Sequence, residues 1–170
     1  MSAERRGSAW VLATALVTTG LLAGLFYAYA CSVMPGLSDA EDRSFVDAMQ
    51  QINKAIENPV FFTTFLGSPV LALWALIRER RSGARETARW IAIALILNLI
   101  GLVITFAFNI PLNDDLEKAG DPARVADVAQ VLDDFEGPWV AWNIVRGVAL
   151  TASLCALARA LYLCGRMSMR

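Results

Sequence analysis

The stretch WIAIALILNLIGLVITFAFNIPL, residues 90–112, decides the fold. It runs for 23 residues without a charged side chain. As a helix rising about 1.5 Å per residue it is roughly 35 Å long, enough to cross about 30 Å of hydrocarbon. In lipid a segment must satisfy its own backbone polar groups, which leaves the helix as the conformation for such a run. Runs of the same kind lie at about 8–34, 59–77 and 138–164. A chain of 170 residues that is 56% hydrophobic, arranged in four such blocks, reads as a single all-α domain, residues 1–170, folded as a four-helix transmembrane bundle.

Charge gives the orientation. Arg5 and Arg6 precede the first block, Arg78, Arg80, Arg81, Arg85 and Arg89 crowd the short loop 78–89, and Arg166 and Arg170 follow the last block. The longer connections, about 35–58 and 113–137, are rich in Asp and Glu. Basic segments stay in the cytoplasm, so both termini and the 78–89 loop are expected inside a cell membrane, with the two acidic loops outside. No basic patch interleaved with aromatics is present, so nucleic acid is not an expected partner. The run AYAC, Ala28–Cys31, has the small residues of a processing site, but the first apolar stretch is too long for a signal core and is read as a retained span. Cys31, Cys155 and Cys164 lack metal-ligand spacing and read as small packing residues.

The outer loops carry their own patterns. In LSDAEDRSFVDAMQQINKAIENP, Phe45, Met49, Ile52 and Ile56 recur at helical spacing, with Ser38 or Asp39 as the cap and Asn53 on the same inward face. Asp47, Gln50, Lys54 and Glu57 are read as solvated. In the second loop Asp121–Pro122 predicts a helix start, and Val125, Val128, Leu132 and Phe135 form an apolar stripe. Two amphipathic extracytoplasmic helices over four spans would make a lid. Within the spans, Asn98 near mid-membrane reads as interhelical glue. Gly20 and Gly24 permit a close helix approach, within the chain or between copies.

One segment concentrates polar groups. In EGPWVAWNIVRG, residues 136–147, Trp139, Trp142, Asn143 and Arg146 fall at i, i+3, i+4 and i+7, one helix face. Arg146 lies about two turns inside the span, where a guanidinium needs a partner or water. Glu136 and Asp114 are the candidate carboxylates. The stripe is either a structural salt bridge or a pocket cation for a phenolate or carboxylate. Asn53, Asn58, Asn109, Asn113 and Met49 lie on the same side and can converge on it, as can Tyr27 or Tyr29. The chain has no histidine, which removes the commonest ligand for redox metals and haem, and it has no dinucleotide or phosphate loop. No cofactor is expected.

The segments SVMPGL, FVDAMQQINKAIENPVF, IPLND and FEGPWVAWNIVR resemble, in order, the anthrone oxygenase-like family of small integral membrane proteins. The resemblance covers most of the chain and implies a four-span bundle. It also implies oxidation of an anthrone-type polyphenolic ring without an added cofactor, although many bacterial members carry no assigned activity. An anthrone has an acidic methylene, so a base, enolate stabilisers and a dry aromatic slot suffice. Read onto this chain, Asp114 or Glu136 is the base and Asn143 and Arg146 hold the enolate oxygen. Trp139 and Trp142 grip the rings, and Met49, Asn53, Asn58, Asn109 and Asn113 complete the substrate site. Expected partners are the lipid bilayer, a small aromatic substrate with O₂, and a further copy or membrane-complex subunit. The alternative is a non-enzymatic membrane scaffold or accessory subunit.

Overall fold

The computed structural model describes residues 3–168, with side chains described for residues 9–166. The side chains of Arg5 and Arg6, and all of Arg170, lie outside the described residues. The described chain is helical, in the order α1 (Ala3–Ala28), a π-helical turn (Tyr29–Val33), α2 (Met34–Ser38), α3 (Asp42–Ile56), α4 (Pro59–Arg81), α5 (Arg85–Ile104), a second π-helical turn (Thr105–Asn109), α6 (Ile110–Lys118) and α7 (Val128–Ser168). Four helical stretches, Ala9–Ser38, Pro59–Arg81, Arg85–Lys118 and Val128–Arg166, are long and apolar enough to cross a membrane, and the chain is a multi-pass membrane protein by that measure. α1 packs on α4 and α7, and α5 packs on the same two, so the spans close into a ring.

Both π turns sit immediately ahead of a proline, in Met34–Pro35 and Ile110–Pro111. Pro35 and Pro111 lack the N–H that would bond the carbonyl four residues back, and their rings crowd it. The preceding turn widens instead, with the amide of Met34 reaching Tyr29 O and that of Ile110 reaching Thr105 O. The chain thereby continues as one long helix through each proline.

The bundle is held at three levels. Toward the arginine-rich end, small residues let the helices approach closely: Ala15, Ala75, Ala88, Ala94, Ala156 and Ala160 are all buried around Leu12, Ile91 and Leu157. Gly20 faces Leu154 of α7, which a Cβ would meet at 3.4 Å, so this glycine serves a contact within the chain; Gly24 faces open space. At mid-bundle one polar residue from each span meets the others. Thr19 and Ser68 share a hydrogen bond of 2.7 Å, Ser68 donates to Asn98 Oδ1 at 2.9 Å, and Asn98 Nδ2 donates to Ser153 Oγ at 2.7 Å. Asn98 is therefore the interhelical glue its position predicts. At the acidic end α3 lies against α6 and the first turns of α7, burying Phe45, Val46 and Met49 against Met34, Leu116, Phe135 and Trp139. Each such side chain, where its burial takes it out of water, contributes about 1.5–3 kcal/mol.

Four local expectations are corrected. Gln50, read as solvated, is buried and donates its Nε2 to the carbonyls of Leu116 and Gly120 at 2.9 and 3.0 Å, which ties α3 to the end of α6. Asp121 does not start a helix; its carboxylate accepts from the amide of Ala123, and α7 begins only at Val128, where Asp127 accepts from the amide of Gln130. Nor is there a separate helix before the last span, because α7 passes through Pro138 without a break. The carbonyl that Pro138 leaves unbonded is that of Asp134, and both residues are exposed, so water can take it. Ser38 ends α2 and bonds Met34 O, and Glu41 rather than Ser38 or Asp39 precedes α3. Among the cysteines only Cys164 is buried; Cys31 and Cys155 lie on the outer surface of the bundle.

Candidate functional site

Arg146 is 6% exposed, and the groups around it are neutral. Its Nε and Nη2 donate to Asn143 Oδ1 at 3.3 and 3.1 Å, and its Nη1 donates to Thr105 Oγ1 at 3.2 Å. The guanidinium carbon lies 4.0 Å from the centre of the Phe26 ring and 5.4 Å from that of Trp139. A desolvated cation gains about 2 kcal/mol from such a face. Among the described residues no carboxylate pairs with Arg146. The surrounding bonds fix its position. Asn143, fully buried, donates its Nδ2 to the carbonyl of Phe26 at 3.0 Å, and Thr105 donates its hydroxyl to Gly101 O at 2.9 Å.

The guanidinium faces a cavity of about 100 Å³ beneath the junction of α3 and α4. Its wall is formed by rings (Phe26, Tyr29, Phe61, Phe62, Phe65, Phe106 and Trp139) interrupted by Asn53, Glu57, Thr105, Asn109 and Asn113. The two π turns contribute Tyr29 on one side and Thr105, Phe106 and Asn109 on the other. Trp139 is locked by its Nε1–H donating to Asn113 Oδ1 at 2.7 Å and by the Tyr29 ring 5.5 Å away. Asn109 donates Nδ2 to the Trp139 carbonyl at 3.2 Å, which leaves its Oδ1 buried and without a partner; Asn53 Nδ2 is in the same condition. An unpaired buried amide atom costs about 1–3 kcal/mol. One unpaired acceptor and one unpaired donor on the wall of a cavity therefore favour a polar guest. The volume holds a few waters, whereas pockets for drug-sized ligands run about 300–1,000 Å³.

Of the residues singled out in the sequence, Arg146, Trp139, Asn53, Asn109, Asn113 and Tyr29 meet at this cavity, with Asn143 directly behind the cation. Six others do not line it, among them Tyr27, which is 67% exposed. Asp114 is exposed. Glu136 instead accepts a hydrogen bond from Ser38. Trp142 turns away and stacks on Phe108, ring centres 3.8 Å apart. Met49 is fully buried in the cluster under α3. Asn58 caps α4, accepting from the amides of Val60 and Phe61, while its Nδ2 donates to Ala55 O. Of the two readings of Arg146, the salt bridge with Asp114 or Glu136 is not formed among the described residues, and neutral acceptors hold the guanidinium. Sequence reasoning missed Glu57, the one Asp or Glu among the described residues on the cavity wall. Its spacing four residues after Asn53 was the available signal. Among the described residues no three His, Cys, Asp or Glu side chains are grouped as a metal site.

Comparison with curated proteins and with solved structures returns no match. The family model described as anthrone oxygenase matches residues 52–156, a stretch that includes Asn53, Glu57, Asn109, Asn113, Trp139, Asn143 and Arg146. That match takes in more than half of the sequence, and the chain belongs to the anthrone oxygenase family.

Proposed function

We propose that this protein is a cofactor-independent oxygenase for flat phenolic ring ketones of the anthrone type, working in the cavity at Arg146. The observation that carries this reading is a buried guanidinium compensated by neutral groups rather than a carboxylate, beside two unpartnered amide atoms. Such a site gains most from a ligand that develops negative charge on oxygen. On loss of a methylene proton the ring ketone becomes an enolate, whose oxygen Arg146 stabilises while Trp139, Tyr29 and the phenylalanines hold the rings. The electron-rich carbon reduces O₂ and captures it as a hydroperoxide. Loss of water then gives the quinone: one CH₂ and one O₂ become one C=O and one H₂O.

The positive-inside pattern supports cytoplasmic termini and a cavity that opens away from the cytoplasm. α3 and the first turns of α7 serve as its lid, and a tricyclic guest requires α3 to swing away, because the closed volume is too small. Protein purified in mild detergent should consume O₂ and form anthraquinone from anthrone without added metal. Arg146→Met should lower that rate by about 100–1,000-fold, the usual effect of losing an oxyanion donor. No acceleration over buffer by the wild type, together with co-purification of a stoichiometric partner, would replace this reading with an accessory-subunit role.

A further inference from the structure

We propose that Glu57 is the proton acceptor of this site, an inference that rests on the oxygenase reading above. Among the described residues it is the carboxylate that lines the cavity, and no cation is paired with it. Its neighbour Lys54, three residues earlier, is committed to Glu117 of α6 at 2.8 Å. Glu57 is exposed at the mouth, while Arg146 is buried in the depth of the same cavity. That arrangement matches the substrate. In an anthrone the carbonyl and the acidic methylene occupy opposite corners of the central ring, so the group that stabilises the enolate oxygen and the group that takes the proton must approach from opposite sides. The two candidates drawn from the sequence, Asp114 and Glu136, lack this placement.

The backbone at Glu57 is held for such a role. Its amide bonds Lys54 O at 3.3 Å, and the next residue, Asn58, ties the end of α3 to the start of α4 with both ends of its side chain. Asn53, Ile56, Glu57 and Phe61 then form one continuous strip of wall across this corner. In the step itself, a carboxylate oxygen of Glu57 takes a methylene proton, and the C–H electron pair moves into the ring to form the enolate facing Arg146. Without O₂ this proton exchanges with water at the exposed mouth; with O₂ it returns to the peroxide oxygen formed when the enolate captures O₂, giving the hydroperoxide whose loss of water leaves the quinone.

The test separates proton removal from oxidation. Anthrone in D₂O, held without O₂, exchanges its methylene hydrogens only through the enolate, and NMR follows the exchange. Wild type should accelerate it over buffer. Glu57→Gln should slow the protein-catalysed exchange and the aerobic O₂ uptake by about 100-fold or more. Glu57→Asp should restore part of both. Quenching of tryptophan fluorescence by anthraquinone, which has no proton to lose, should be unchanged in both variants. Wild-type exchange and O₂ uptake in Glu57→Gln would overturn the assignment and leave the oxygenase reading intact. Loss of anthraquinone binding along with exchange in both variants would make Glu57 a wall residue rather than a base. Absence of exchange and of O₂ uptake in the wild type would remove the oxygenase reading and the role of Glu57 with it.

Discussion

Replacing Asn143 with aspartate gives Arg146 the anionic partner that the site withholds. The amide oxygen already lies 3.1 Å from Nη2, so a carboxylate oxygen placed there needs no new geometry. At an effective dielectric constant of about 20, opposite charges at that separation attract by about 5 kcal/mol. Against this stand several kcal/mol for desolvating a carboxylate at a fully buried position, and the loss of the bond to Phe26 O, about 1 kcal/mol. These terms nearly cancel, so the stability of the bundle should move by no more than about 2 kcal/mol. Anion binding should change far more. The net charge at the depth of the cavity falls from one to zero, and an anion about 4 Å away loses about 4 kcal/mol of attraction. Fluorescence titration with 2-naphthoate should show affinity about 100–1,000-fold weaker, while the neutral 2-naphthamide should change by less than about threefold. Equal losses for both probes, or no loss for naphthoate, would refute the view that Arg146 is an unneutralised receptor for negative charge.

Asn98→Leu should destabilise the bundle by roughly 2–4 kcal/mol, because it removes bonds to three other spans at about 0.6–1.7 kcal/mol each; unfolding in mixed detergent micelles measures this. Arg43 donates to the carbonyls of Pro122 and Val125; Arg43→Ala should loosen α3 and raise its amide exchange about tenfold, with α5 unchanged. Trp139→Phe should lose the bond to Asn113 and weaken naphthamide binding by about five- to tenfold. Trp142→Phe, a change on the Phe108 side of α7, should leave that binding within about twofold.

The four spans were legible because hydropathy over about 20 residues is a property of the segment alone. The packing partners of Asn98 were not, since Thr19, Ser68 and Ser153 are distant in sequence and no local pattern couples them. The polar stripe of α7 was read as one face, but a face is broad. At about 100° per residue, Trp142 and Asn143 stand about 100° apart, on opposite edges of the stripe. Trp142 therefore reaches Phe108 on the surface while Asn143 reaches the core. The sequence left Arg146 as either half of a salt bridge or a pocket cation, because burial demands compensation but does not say from where. The compensation came from an amide one turn away and a hydroxyl on another span, a choice that only tertiary structure makes. The last span was read as starting at about Pro138, where the apolar run begins, but α7 runs on through this exposed proline, whose unbonded carbonyl partner lies in reach of solvent. Glu57 was assigned to solvent, and it is exposed; its place on the cavity wall comes with the turn between α3 and α4.

The π turns bear on how such a cavity changes over time. Each holds one residue more than an α-helical turn would, and by winding wider it takes up that residue while the helix on either side keeps nearly the same register. Deleting one residue from Tyr29–Val33 or Thr105–Asn109 would return the turn to α-helical winding and leave the helices on either side in nearly the same register, so that the change falls on the turn itself. Tyr29 and Asn109, which lie within the turns, are among the wall residues it would displace. The shape of this site is therefore written partly in chain length. Insertions and deletions of single residues inside a span, ordinarily the least tolerated changes in a membrane helix, are here a direct means of altering what the cavity accepts.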